Sequence, residues 1–259
     1  MVKTIVIDAG HGGHDAGAVG NGLKEKDLTL SIALATERYL KEHYTGHRII
    51  QTRRTDKYLT LKQRTDIANR YNTNLFVSIH INSASATAHG YESFISPYTK
   101  STGMLGQVHN NIRDYFRSLG IHNRGLKKMA FYVLRHTHAP AILTENLFIS
   151  NPKEARILKT RINEIAKAHA VGIAKAVGLP AKKKEGGLTM SQYRELKKII
   201  DEQQKEIADL RKLVGNGKGG ASLASAWKEA IDKGITDGSN PGHPIKREEA
   251  AAMILRATK

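Results

Sequence analysis

Four side chains in this sequence can be combined into hydrolytic chemistry. His11 follows an apolar run and is flanked by Gly10, Gly12 and Gly13, which lets the backbone turn sharply and leaves the imidazole exposed at a strand end. His80 closes a second apolar run that begins at Leu75, and Glu25 lies between the two at the start of a helix. Two imidazoles and a carboxylate delivered by strand ends and a nearby loop can make a zinc site with an open fourth position. Glu145 directly follows the apolar run 141–144, at the sheet edge where α/β proteins bind ligands. An acid there can take a proton from water and return it to a leaving amine. Each residue also has a structural reading on its own: a turn histidine, a histidine capping a buried strand, a helix-start acid favoured by the dipole, a surface acid. His14 reads as a turn residue outside the site. With no cysteine in the chain, any metal must be held by histidine and carboxylate.

The elements that must position these groups alternate over residues 1–180. Strands are expected at 4–7, 48–52, 75–81, 91–95, 131–134 and 141–144, and helices at 26–43, 61–71, 105–118 and 152–177. The first, third and last strands are nearly continuous apolar runs, as in strands covered on both faces. The fold class is therefore α/β, a mixed and mostly parallel sheet flanked by helices. Gly178 and Pro180 stop the last helix.

After a charged linker at 181–187, segment 188–214 carries a short heptad pattern. Tyr193, Ile200, Ile207 and Val214 alternate with Leu196, Gln203 and Leu210. This favours a parallel two-stranded coil, and a homodimer through 193–214 is expected, with a lone amphipathic helix as the alternative. A glycine-rich linker spans 215–222. The tail 223–259 is too small for a self-sufficient core and reads as a small helical C-terminal module.

Ordered blocks across residues 1–178 carry a family resemblance. They are Ile7-Asp-Ala-Gly-His-Gly-Gly-His-Asp-Ala-Gly17, Glu25-Lys-Asp27, Thr52-Arg-Arg-Thr-Asp56, Leu61-Lys-Gln-Arg-Thr-Asp-Ile-Ala-Asn69, Val77-Ser-Ile-His-Ile-Asn82, Asn123-Arg-Gly-Leu-Lys127 and Pro140-Ala-Ile-Leu-Thr-Glu145 followed by Ser150-Asn151. The chain resembles the type 3 zinc-dependent N-acetylmuramoyl-L-alanine amidases, peptidoglycan hydrolases of bacteria and their phages. The resemblance implies one zinc ion bound by His11, Glu25 and His80, with Glu145 as the catalytic carboxylate. It implies attack of zinc-activated water on the amide between N-acetylmuramic acid and L-alanine. Asp8 and Asn82, beside two ligands, are candidates for hydrogen bonds that fix the imidazoles or for substrate contacts. Arg54 and Arg64 can face muropeptide carboxylates, although salt bridges are the better expectation. Ala9 departs from the usual proline, and Asn146-Leu147-Phe148 departs from a more common Ile-Gly-Phe or Gly-Gly-Phe. In the tail, Ala226-Trp-Lys-Glu-Ala-Ile-Asp-Lys-Gly-Ile-Thr-Asp-Gly238 and Pro244–Arg256 resemble one S-layer-homology repeat. That resemblance implies a wall-targeting module for an anionic secondary polymer.

The formal net charge of +17 suits a polyanionic partner. No nucleic-acid-reading module or basic–aromatic interleaving is present, which argues against nucleic acid. No apolar run is long enough for a membrane span. The N-terminus carries no signal-peptide pattern, so synthesis in the cytoplasm is expected. Release to the wall would follow through a holin-type pore or by lysis. The expectation is a phage endolysin. The alternatives are a bacterial autolysin of the same chemistry, a zinc carboxypeptidase, or an inert wall-binding protein.

Overall fold

The computed structural model describes residues 2–182 and 190–215. The chain divides into two units, Met1–Lys183 and Lys184–Lys259. In chain order the first unit contains β1 (Lys3–Ala9), the short pair β2 (Val19–Gly20) and β3 (Leu23–Lys24), α1 (Glu25–His43), β4 (His47–Gln51), α2 (Leu61–Arg70) and β5 (Leu75–Asn82). There follow β6 (Tyr91–Ile95), α3 (Thr102–Ser118), β7 (Asn123–Lys128), α4 (Tyr132–Arg135), β8 (Ala141–Phe148), α5 (Pro152–Thr160) and α6 (Ile162–Val177). In the second unit, the described part is α7 (Met190–Gly215). Among the described residues, no helix is long and apolar enough to cross a membrane. The tail 223–259, expected to carry an S-layer-homology repeat, lies outside the described residues.

Strand order is β4-β1-β5-β8-β6-β7. Within this six-stranded sheet every pairing is parallel except β6 with β8, so the expected mixed, mostly parallel sheet is present. Alternation along each strand sends side chains to two faces. Ile5, Ile7, Val77, Ile79 and Ile142 share a core with Leu28, Ile32, Val108, Ile112, Ile165 and Ile173 from α1, α3 and α6. Val6, Phe76, Phe94 and Leu143 point the other way, with Ala68 of α2 and Val133 and Leu134 around α4. Continuing that second alternation by two or four residues reaches Asp8, His80, Glu145 and Glu92. His80 and Glu145 therefore project from the second face in the carboxyl-terminal halves of β5 and β8, with Glu92 beside them at the amino end of the antiparallel β6.

Three expectations differ. Segment 131–134 is aromatic and β-branched like a strand, yet it forms α4, a single helical turn whose Val133 and Leu134 fill the second core. The missing strand is β7, whose sequence Asn-Arg-Gly-Leu-Lys-Lys is polar. An edge strand pairs on one side only and needs no continuous apolar run. The helix expected across 152–177 is two helices broken at Arg161. Each half keeps its own apolar face, and α5 starts on an Asn151 cap with Pro152 in its first turn.

Two histidines are buried beneath the first face. His169 on α6 faces Thr144 at 3.2 Å, and His109 on α3 faces Ser93 at 3.1 Å. Burial pushes each imidazole down to about 4, with Arg113 adding to the effect at His109. Their unfolded value is about 6.5. The neutral imidazoles are thus compatible with folding above about pH 6.5, and stability falls as pH drops from there toward about 4, because the unfolded chain binds the protons first. The expected loss is on the order of 1–2 kcal/mol per imidazole by about pH 5. Thermal melts between about pH 7 and 5 check this: relative to wild type, a His169→Gln/His109→Gln variant should gain stability as the pH falls, and a variant whose pH dependence matches that of the wild type would contradict it.

Candidate functional site

His11 sits just past β1 in a left-handed conformation, φ 59°, a strained geometry for a residue with a side chain. Two buried arginines hold it there. Arg64 donates to Asp8 Oδ1 at 2.8 Å, to the Ala9 carbonyl at 2.6 Å and to the His11 carbonyl at 2.8 Å. Arg53 donates to the carbonyls of Ala9 and Gly10 at 3.0 and 2.8 Å. The ring is oriented from its other end, where Asp15 Oδ2 lies 2.9 Å from Nδ1.

Glu25 is the first residue of α1 and is 4 % exposed. Its carboxylate accepts backbone N–H groups from Ala18 and Ile81, both at 2.9 Å. His11 Nε2 and His80 Nδ1 each lie 3.1 Å from the same oxygen, Oε1. The ligating atoms of His11, Glu25 and His80 all fall within 4.8 Å of one another. The two rings meet edge to face with centroids 5.0 Å apart. Glu145, on β8, pairs in register with His80 on β5. Its Oε2 is buried with no hydrogen-bond partner.

Electrostatics follows from this packing. Burial would neutralise Glu25, but the two imidazoles override it and hold the carboxyl well below its usual range. Burial also works against a charge on His11, yet Glu25 and Asp15 raise the ring to about 9. His80 is raised by Glu25 against its own burial. Burial pushes Glu145 up to about 7, with His80 opposing and Glu25 and Glu92 adding. A two-histidine, one-carboxylate donor set with partly exposed rings matches a catalytic zinc centre in type and number.

The sequence profile of the N-acetylmuramoyl-L-alanine amidases matches residues 5–175. The chain belongs to this amidase family. The sporulation-specific N-acetylmuramoyl-L-alanine amidase of Bacillus subtilis is 42% identical over 183 residues, covering 69% of each chain. The endolysin of Bacillus phage SPP1 is 41% identical over 193 residues, 72% of this chain and 70% of that one. Among solved structures, the catalytic domain of the amidase CwlV from Bacillus (Paenibacillus) polymyxa superposes with a TM-score of 0.65 at 35% identity. It aligns over 69% of this chain and all of that one (100%).

Within the amidase, His11, Glu25, His80 and Glu145 come together as one cluster. Neither Asp8 nor Asn82 hydrogen-bonds an imidazole. Asp8 is fully buried and accepts from Thr52, Ser78 and Arg64, so it reaches His11 only through the Arg64 clamp on the loop. Asn82 donates to Glu92 Oε1 at 2.7 Å. Arg54 pairs with Glu37 at 2.7 Å and Arg64 with Asp8, so both serve salt bridges. His14 packs on the Tyr58 ring, away from the cluster. The residue that sequence reasoning missed is Asp15. Its one sequence signal is its place four residues after His11 within one glycine-rich turn, where Gly12 and Asp15 pair their backbones.

Gly10 is required by the same geometry. A Cβ there would lie 2.4 Å from the His80 ring, closer than any side chain tolerates. Gly10→Ala is expected to displace His80 and to cut metal affinity by about 10-fold or more, with the overall fold retained. Metal titration with circular dichroism checks this, and wild-type affinity in the variant would contradict it.

Proposed function

We propose that this amidase is zinc-dependent and cleaves the amide joining the lactyl group of N-acetylmuramic acid to L-alanine in peptidoglycan. One juxtaposition carries the reading: a two-histidine, one-carboxylate donor set beside an acid whose buried oxygen has no partner among the described residues. His11, Glu25 and His80 would hold the ion. The chemistry it supplies when bound is polarisation of the scissile carbonyl and acidification of a water toward neutral pH. Glu145 accepts the proton of the attacking water and returns it to the departing L-alanine amine. Asp15 keeps the His11 ring turned toward Glu25, and Arg64 and Arg53 keep its loop in place. Dialysis against a chelator is expected to abolish activity and one equivalent of zinc to restore it. Full activity in excess chelator would overturn the zinc assignment.

We read the biological role as wall lysis by a phage endolysin. The SPP1 endolysin supports this, and the sporulation amidase, as similar, keeps a bacterial autolysin as the competing role. Production inside a Gram-positive cell should cause lysis only with a co-produced holin-type pore; lysis without one favours the autolysin. Residues 193–214 would join two copies. Leu196, Ile200 and Ile207 on α7 are more than two-fifths exposed, which supports an apolar seam. Sedimentation velocity should show a dimer that Ile200→Lys/Ile207→Lys dissociates; a monomeric wild type would remove this assignment. The tail 223–259 would bind an anionic wall polymer, supported by its S-layer-homology pattern. Deleting it should abolish cosedimentation with polymer-bearing walls, and undiminished cosedimentation would refute the role.

A further inference from the structure

Beyond Glu145 the row of site residues continues to a group that neither the donor set nor the acid–base step uses. His80 pairs with Glu145 across β5 and β8, and Glu145 pairs with Glu92 across β8 and β6. Directly opposed residues project from the same face about 5 Å apart, so Glu92 follows Glu145 as Glu145 follows His80. Glu92 is 4 % exposed. Its Oε1 accepts from Asn82 Nδ2 at 2.7 Å and from Arg124 Nε at 3.2 Å, and Lys127 Nζ donates to Oε2.

Arg124 and Lys127 lie three apart on β7, and residues at odd spacing on a regular strand face opposite sides. Here the register against β6 shifts between Tyr91 and Glu92, which leaves Arg124 unpaired as an extra residue. The bulge re-aims its side chain, and both cations reach one carboxylate. Arg124 also lies over the Phe148 ring, 5.1 Å from its centroid. Two cations on one buried acid leave a net positive charge. They remain 35 % and 44 % exposed at the side chain, against 6 % for Glu92. Arg124 is held through its Nε on Glu92 and donates through Nη1 to the His89 carbonyl at 3.4 Å, which leaves Nη2 with no hydrogen-bond partner among the described residues and able to take an oxyanion.

The order of the row sets direction. The scissile carbonyl belongs toward the His11–Glu25–His80 cluster and the departing amine at Glu145. The peptide carried on that amine then runs on toward Glu92, Arg124 and Lys127. We propose that Arg124 and Lys127 form a subsite for a carboxylate of the departing stem peptide, with Glu92 and Asn82 as positioning residues. The subsite rests on the amidase reading above and adds to it what recognises the peptide side of the bond.

The test compares two synthetic muramoyl dipeptides, L-alanine followed by a glutamate whose γ-carboxyl is blocked as an amide in both, one with the free α-carboxylate and one with that group as the carboxamide. Wild type is expected to favour the acid by about tenfold or more in kcat/KM, mainly through KM, the size of a charge-assisted hydrogen bond. Arg124→Gln/Lys127→Gln is expected to bring that ratio near one, and Arg124→Lys to restore part of it. A wild type that handles acid and amide alike would overturn the subsite without any variant. A double variant that slows both substrates equally, with the ratio intact, would assign the pair a structural role and overturn it too. Cleavage of neither dipeptide, by an enzyme that also leaves polymeric peptidoglycan intact, would sink the amidase reading and the subsite together.

Discussion

Glu145→Gln is expected to lower kcat by about two to four orders of magnitude, the range associated with losing a positioned general acid–base group. The substitution keeps the shape and removes the proton-accepting oxygen. Glu145 is suited to both directions of transfer, because burial first, with Glu25 and Glu92 adding and His80 opposing, places its carboxyl at about 7. A group titrating near the working pH can take a proton from water and give it back to an amine at low cost. Its Oε2 has no partner among the described residues, so the variant is expected to melt at the wild-type temperature or slightly above. Turnover measured beside a thermal melt checks both parts. Near-wild-type turnover would remove Glu145 from the chemistry; an unfolded variant would show that the acid is structural.

His80→Ala should produce the second large effect. Its Nδ1 shares Glu25 Oε1 with His11 Nε2, so the variant removes one of three donors that the fold brings within 4.8 Å. Metal affinity is expected to fall by more than about 100-fold, beyond the 10- to 100-fold typical of losing an orienting partner. Asp15→Asn, which leaves all three donors in place, should fall inside that smaller range. Activity should follow metal content in both. Metal analysis after dialysis decides, and a His80→Ala protein that retains one tightly bound zinc would contradict the donor assignment.

Much of the site was legible because its residues end apolar runs. His80 and Glu145 close apolar runs whose buried residues announce them, although β5 runs on to Asn82 and β8 to Phe148, and the glycines around His11 mark a turn that a bulkier sequence could not make. Gly10 shows the limit of that reading: its need for a bare Cα comes from the His80 ring of another strand, a contact with no local trace. Asp15 was hidden by the opposite problem, since a glycine-rich turn gives every polar residue a plausible local use. β7 was illegible because an edge strand obeys no burial pattern, and its bulge is what brings Arg124 round to Glu92. Segment 131–134 misled because aromatic and β-branched residues suit any small core, and here a single helical turn supplies Val133 and Leu134 to the second face.

The most direct test of the central claim is digestion of purified Gram-positive peptidoglycan by the wild-type protein beside Glu145→Ala, with products read by mass spectrometry. The geometry predicts stem peptides with a free L-alanine amine, glycan strands with intact muramic acid, and neither product from the variant. Peptides cut within the stem would instead make the enzyme a carboxypeptidase or endopeptidase. Wall left intact by both proteins would contradict hydrolysis at this site altogether.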